Sequence, residues 1–171
     1  MFTFTPESDA DWWEVEALFD LCFAPGRNAL SSYRLRDGVA PLRDFSLVAR
    51  DPGDIAAGAI RYWPVRIETT QTKTGARDPA RALLLGPVAV HPTHQGEGLG
   101  RMLIRESLDL ARASGWGRVM LVGDAPYYGR FGFSRLPYIE MPPPTNPDRV
   151  LGLALSPGAW DDLHGKVTRD A

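Results

Sequence analysis

Apolar and polar residues alternate from Phe2 to Thr5, and Pro6 closes the run, which predicts a short first strand. From Trp12 the period lengthens. Trp12, Val15, Leu18, Phe19 and Phe23 recur at helical spacing behind Ser8 or Asp9 as a cap. The Ala24–Asn28 stretch breaks that helix, and a second short one follows around Leu30 to Arg36. Phe45–Arg50 predicts a strand, Asp51–Asp54 a turn, and Ala56–Ile67 a longer strand in which Pro64 marks an edge or a bulge. Glu68–Arg81 is polar and mixed in charge, as a long connection would be.

Leu83–Val90 reads LLLGPVAV, a nearly unbroken apolar run of the kind that predicts a strand covered on both faces. Proline cannot donate to a ladder and glycine tolerates a bulge. Gly86 and Pro87 therefore predict that this central strand loses one neighbour partway along. A helix then runs to about Ser114. Leu99, Met102, Leu103, Leu110 and Ala113 are expected on its apolar face, and Arg101, Arg105, Asp109 and Arg112 on its polar face. Arg118–Val122 reads as a buried strand, Gly123–Phe133 as a loop with a short helix, and Tyr138–Met141 as a further strand. Pro142–Pro147 is a stiff connector, Val150–Leu155 a last strand, and Ser156–Leu163 a terminal helical turn.

Over 171 residues no repeat and no linker marks a second domain, so 1–171 is expected to form one. A formal net charge of −2 argues against nucleic acid or a membrane surface as partner. The single cysteine, Cys22, has no partner for an internal disulfide; it falls in an apolar helical pattern as a core thiol and fits a reducing compartment. The segment MFTFTPESDADWW has neither a basic start nor an apolar core of signal-peptide length, and no run approaches the length of a membrane span. These features predict a cytoplasmic protein.

The segment HPTHQGEGLGRM, His91–Met102, carries Gly96, Gly98 and Gly100 between the apolar strand and the amphipathic helix. A helix start presents unsatisfied N–H groups and a partial positive charge, and glycines let an anion approach the backbone. Strand, glycine loop and helix in that order predict an anion cradle suited to a pyrophosphate. A P-loop needs Gly-Lys-Ser/Thr, whereas Arg101 and Met102 follow Gly100. A dinucleotide loop needs G-x-G-x-x-G on the first strand, whereas this spacing is G-x-G-x-G in mid-chain.

Gln95-Gly96-Glu97-Gly98-Leu99-Gly100 resembles the Q/R-x-x-G-x-G/A signature of the GNAT superfamily of acyl-CoA-dependent N-acetyltransferases. GPVAVHP upstream resembles that family's central strand, and YYGRFGF downstream resembles its Y-x-x-x-G-F element, with Tyr128 four residues before Gly132. LVGDAPYYGRFGF and LSPGAWDDLHGKV are similar to the YhbS-like bacterial subgroup. The resemblance implies an α/β (α+β) GNAT fold: a mixed, mostly antiparallel sheet splayed at its fourth strand, with helices on both faces.

It also implies acetyl-CoA as co-substrate and no metal. The backbone amides of Gln95, Gly96, Glu97, Gly98, Leu99, Gly100 and Arg101 would hold the pyrophosphate. The peptide groups of Val88, Ala89 and Val90 would pair with the pantetheine arm by strand addition. Tyr128 matches the general acid of the family, and a phenol titrating near pH 10 is protonated at neutral pH. Where many relatives carry asparagine, this chain has Gly123-Asp124; Asp124 is a candidate base or a helix cap, with Glu68, His91 and His94 weaker candidates. The implied reaction is direct transfer of an acetyl group to a primary amine of a small molecule or protein. A non-catalytic acyl-CoA sensor is the alternative, and a homodimer is compatible with the resemblance.

Overall fold

The computed structural model describes residues 1–23, 31–69 and 79–170. In chain order these form β1 (Thr3–Pro6), α1 (Trp12–Cys22), α2 (Ser31–Arg34), β2 (Leu47–Arg50), β3 (Ala56–Thr69), β4 (Ala80–Val90) and α3 (Leu99–Ala113). Then come β5 (Arg118–Val122), α4 (Ala125–Tyr128), β6 (Ser134–Arg135), β7 (Ile139–Glu140), β8 (Val150–Ala154) and β9 (Gly165–Arg169). The strands lie in the order β1-β2-β3-β4-β5-β8-β6, with β9 also on β3 and β7 on β9. The described ladders are antiparallel apart from β4 with β5 and β7 with β9. This is the expected mixed, mostly antiparallel sheet.

The chain forms two compact units. The first comprises Met1–Arg27, Pro41–Tyr62 and Leu85–Ser114. Val15, Leu18 and Phe19 of α1 pack there against Val48, Ala59 and Ala89. A Cβ built on Gly58 would come within 2.9 Å of Leu103 and 3.1 Å of Leu99. Adjacent strand residues point to opposite faces, so Ala59 under α1 and Gly58 under α3 place these helices on opposite faces of the sheet.

The buried stripe of α3 is Leu99, Leu103, Ile104, Ser107, Leu108 and Ala111, whereas Met102 and Leu110 are exposed. The sequence pattern places Met102, Leu110 and Ala113 inward instead, because Ser107 reads as polar. Its hydroxyl donates to the Leu103 carbonyl at 2.6 Å and lies 2.8 Å from the hydroxyl of the fully buried Tyr62. A satisfied serine is at home in a core.

The second unit comprises Asn28–Ala40, Trp63–Leu84 and Gly115–Ala171. Trp63, Val65 and Ile67 pack there with Leu84, Met120 and Val150. Pro64 falls between two ladders: the register with β2 has its last partner at Ile60, and the register with β9 begins at Val65. A residue without an N–H thus occupies the point where β3 changes neighbour.

Ser156–Leu163 forms successive turns closed by bonds such as Ala159 N–H to Ser156 C=O, as a helical turn there would lead one to expect. Two expectations fail in this unit: β9 follows those turns, so Val150–Leu155 is not the last strand, and the expected strand Tyr138–Met141 shrinks to Ile139–Glu140. β9 offers one buried apolar side chain, Val167, too little to show a period. The expected connection Glu68–Arg81 is shorter than predicted, because β3 runs to Thr69 and β4 starts at Ala80; its middle lies outside the described residues.

In the first unit, Arg61 of β3 is 2% exposed and holds Glu7, 3% exposed, through Nη2 to Oε1 at 2.7 Å and Nε to Oε2 at 3.0 Å. Arg61 also reaches Glu16 at 2.8 Å, and its guanidinium lies 4.0 Å from the Trp12 ring centroid. Removing one member of a buried pair strands the other's charge, at a cost of about 3–5 kcal/mol. Because Glu16 remains, Glu7→Ala is expected at the lower end, about 3 kcal/mol, as a loss of unfolding free energy in urea titration. A change below about 1 kcal/mol would show the pair to be dispensable.

Candidate active site

The glycine loop and the end of β4 belong to the first unit. After β4 a turn at Pro92–His94 leads to Gly96, with φ of +86°, and to Gly98, with φ of +78°, which caps α3. L side chains rarely adopt such values, so glycine is required at both positions for conformation; a Cβ at either would meet open space. The first bond inside the helix runs from Met102 N–H to Gly98 C=O at 3.1 Å. Neither the helix nor a cap side chain supplies an acceptor to the N–H groups of Leu99, Gly100 and Arg101, and the first turn holds no acidic residue. That is the electrostatic setting an anion needs.

The flanking side chains are tied down. His94 Nδ1 lies 2.9 Å from Glu97 Oε2 and its Nε2 lies 3.7 Å from Asp51, while the ring meets Phe2 edge-on at 5.2 Å. Glu97 thus has a local partner, and its backbone is what it can offer to a ligand. His91 Nδ1 accepts from the Thr93 N–H at 3.2 Å, which makes it a turn residue.

The strand edge refines the expectation for Val88, Ala89 and Val90. His91 N–H donates to Ala57 C=O at 2.7 Å, and the Ala89 carbonyl lies 3.1 Å from a Cβ built on Gly58. Both residues therefore turn their peptide groups to β3. Peptide groups alternate along a strand, so those of Val88 and Val90 face the other edge. The ladder of β5 on β4 takes in Leu83 and Leu84, before Gly86 and Pro87. Val88 and Val90 can accept an added strand, whereas Ala89 contributes its buried side chain to the core. Cys22, expected as a plain core thiol, lies with its Sγ 3.4 Å from the Val90 carbonyl, and burial pushes its pKa up. No sequence signal places Cys22 at this carbonyl.

Tyr128 belongs to the second unit. Asp124 caps α4, accepting from Tyr127 N–H at 3.1 Å, so the cap role is the one the structure assigns it. The Tyr128 ring packs on Gly123, where a Cβ would come within 2.6 Å of the ring. This contact gives a physical reason for glycine at this position. Tyr127 and Phe133 meet the ring edge-on at 5.0 and 5.9 Å. Burial, aided by Tyr127 and Asp124, pushes the Tyr128 phenol up to about 12, while Arg149 pulls the other way. The phenol is a proton donor at neutral pH. Glu68 lies exposed on β3, where its carboxylate accepts from Thr168 at 3.5 Å.

The acetyltransferase (GNAT) domain family matches residues 4–136. The chain belongs to the GNAT acetyltransferase family. It is 31% identical over 132 residues to the uncharacterized N-acetyltransferase YjhQ of Escherichia coli K12, spanning 77% of this chain and 69% of YjhQ. It is 30% identical over 120 residues to the uncharacterized N-acetyltransferase YhbS of the same organism, spanning 70% of this chain and 65% of YhbS. The matched segment is thus under two thirds of YhbS. The crystal structure of E. coli YhbS in complex with CoA superposes with a TM-score of 0.80 at 26% identity, covering 98% of this chain and 89% of that one. A GNAT family acetyltransferase from Brucella melitensis in complex with acetyl-CoA gives 0.71 at 28% identity, covering 100% and 97%. The expected GNAT fold and YhbS-like relationship agree with these matches, and the family reaction is acetyl-CoA-dependent N-acetyl transfer. Among the described residues no helix is long and apolar enough to cross a membrane.

The raised phenol predicts a pH effect with a definite sign. The unfolded phenol loses its proton near pH 10, whereas folded Tyr128 keeps it to about 12. Its contribution to stability is full below pH 10 and is lost as pH rises through that window. The unfolding midpoint of the wild type should therefore fall more steeply between pH 10 and 12 than that of Tyr128→Phe. Identical slopes would show that the phenol is not buried in its neutral form.

Proposed function

We propose that the chain, acting as one domain in the bacterial cytoplasm, transfers the acetyl group of acetyl-CoA to a primary amine by direct attack. The observation that carries this is the open start of α3. It combines two glycines at positive φ, no acid in the first turn, and three N–H groups without a helical acceptor, one of them on Arg101. In this reading the amides of the segment Gln95 to Arg101 hold the CoA pyrophosphate. The groups that Val88 and Val90 turn away from β3 pair with the pantetheine amides, and one of their N–H groups polarises the thioester carbonyl.

The acceptor ammonium first loses a proton, because the protonated form has no lone pair. A base or a chain of water molecules takes this proton, while Asp124 accepts from Tyr127 N–H as a helix cap. The amine nitrogen attacks the carbonyl carbon, a tetrahedral oxyanion forms, and the C–S bond breaks with the electron pair on sulfur. Tyr128 hydrogen-bonds to the departing thiolate and supplies its proton. The nitrogen gives up its second proton to solvent as the amide forms, and solvent returns a proton to the Tyr128 phenolate.

Thermal unfolding with acetyl-CoA, free CoA and ATP tests this reading. A ligand at 100 times its dissociation constant adds about 2.7 kcal/mol of stability, so a clear upward shift with acetyl-CoA and CoA but not ATP is expected. With a turned-over amine, Tyr128→Phe is expected to lose about 10²-fold or more in kcat and to keep the acetyl-CoA shift. Absence of a shift at millimolar acetyl-CoA would remove the cradle and the reading together. Binding without turnover of any amine would leave an acyl-CoA sensor.

A further inference from the structure

His94 stands in the connection from β4 to α3, and three parts of the first unit close on its ring. Nδ1 lies 2.9 Å from Glu97 Oε2 in the glycine loop itself, and Nε2 lies 3.7 Å from Asp51 Oδ2 in the turn after β2. Phe2, at the start of β1, meets the ring edge-on at 5.2 Å. Asp51 is fixed from its other side, where Oδ1 accepts from Gly53 N–H at 2.9 Å and from Ile55 N–H at 3.0 Å. The Ile55 N–H chiefly holds that carboxyl below its usual range, and Gly53 and His94 add to the effect. His91, the neighbouring histidine, turns to Thr93 instead. Among the described residues, the charged groups that face His94 are therefore two carboxylates, and the third contact is an apolar ring. No lysine or arginine pairs with either carboxylate among those residues.

The charge on one imidazole thus decides the charge of the loop. A neutral imidazole has a single N–H, so one of its nitrogens would turn a lone pair to a carboxylate. The imidazolium donates from Nδ1 to Glu97 and attracts Asp51 from Nε2, the latter at ion-pair rather than hydrogen-bond distance. Histidine is the side chain whose charge changes near neutral pH. The consequence falls on the anion cradle. Glu97 precedes Leu99 by two residues, and its own N–H is among the amides assigned to the pyrophosphate. Its carboxylate is half exposed, so solvent and salt weaken its field without removing it. It is also the acid nearest in sequence to a helix start whose first turn holds none.

We propose that His94 is a positioning residue for acetyl-CoA: as the imidazolium it holds the Glu97 carboxylate and cancels its charge, so the loop binds a pyrophosphate more tightly when His94 carries its second proton. Loss of that proton leaves two uncompensated carboxylates beside the helix start. The inference rests on the reading of the glycine loop as a pyrophosphate site.

Calorimetric titration of dephospho-CoA into the full chain tests this. That ligand keeps the pyrophosphate but lacks the 3′-phosphate, whose own second ionisation falls in the same pH range. Measured at about pH 5.5 and about pH 8, on either side of the histidine range, the wild type should bind at least about threefold more tightly at the lower value. His94→Gln should bind at both values about as weakly as the wild type does at the higher one. Adding Glu97→Gln to His94→Gln should restore tighter binding at both values, because the charge to be cancelled is gone. A merely structural role for His94 would show no such rescue. The same pH dependence in the wild type and His94→Gln, or a double variant no tighter than His94→Gln, would overturn the proposal and leave the pyrophosphate site standing. Failure of every protein to bind at either pH would overturn the proposal together with the reading on which it rests.

Discussion

The pairing of β4 with β3 in the first unit governs the arrangement around the glycine loop. β3 takes the peptide groups of Ala89 and His91, so strand alternation leaves those of Val88 and Val90 on the other edge. A one-residue slip would reverse the assignment, committing Val88 and Val90 to β3 and carrying Ala89 out of the core under α1. The register that buries Ala89 is therefore the register that frees an edge. The turn at Pro92–His94 follows at once, and α3 begins at Leu99. The open edge and the open helix start are thus separated by one short, glycine-rich connection.

Two helix starts in the same unit show how differently the chain treats such ends. Before α1, Ser8 and Asp11 close a capping box, and Asp11 and Glu14 both bind Arg50 at 2.7 Å. The Asp11 carboxyl is held below its usual range, chiefly by the Ser8 N–H. Carboxylates thus satisfy that end internally. At α3 the cap is a glycine, the first turn contains no acid, and the nearby carboxylate of Glu97 is bound to His94. The positive end of this 15-residue helix is left for something outside the chain.

Much of this can be read in the sequence, because the features involved are local. The run Leu83–Val90, the glycine spacing and the tyrosine element are contiguous motifs, and the fold follows from their order. Pairwise facts stay hidden. The buried Arg61 reads as the polar position of a strand, yet it is satisfied by Glu7, 54 residues away in sequence. The sequence cannot show that Ala89 and Val88 differ in role, because that depends on which peptide groups β3 takes. Trp13 is the converse case, a large aromatic on a helix that nonetheless stands 81% exposed.

The environment of Tyr128 pulls its acidity in two directions. Burial and neighbouring groups raise the phenol to about 12, which keeps it protonated but makes it a weak acid. A thiol titrates near 8.5, so complete transfer from phenol to a free thiolate is uphill. In the proposed reaction such a donor serves best as a hydrogen bond that strengthens while charge builds on sulfur, with the proton moving as the C–S bond breaks. Arg149 is the counterweight, since its charge lowers the phenol, and it stands at the start of β8 with its carbonyl tied to Gly123. The contact that seats the ring on Gly123 and the charge that lowers the phenol therefore come from the same short junction between β5 and β8. A side chain at position 123 would disturb both at once.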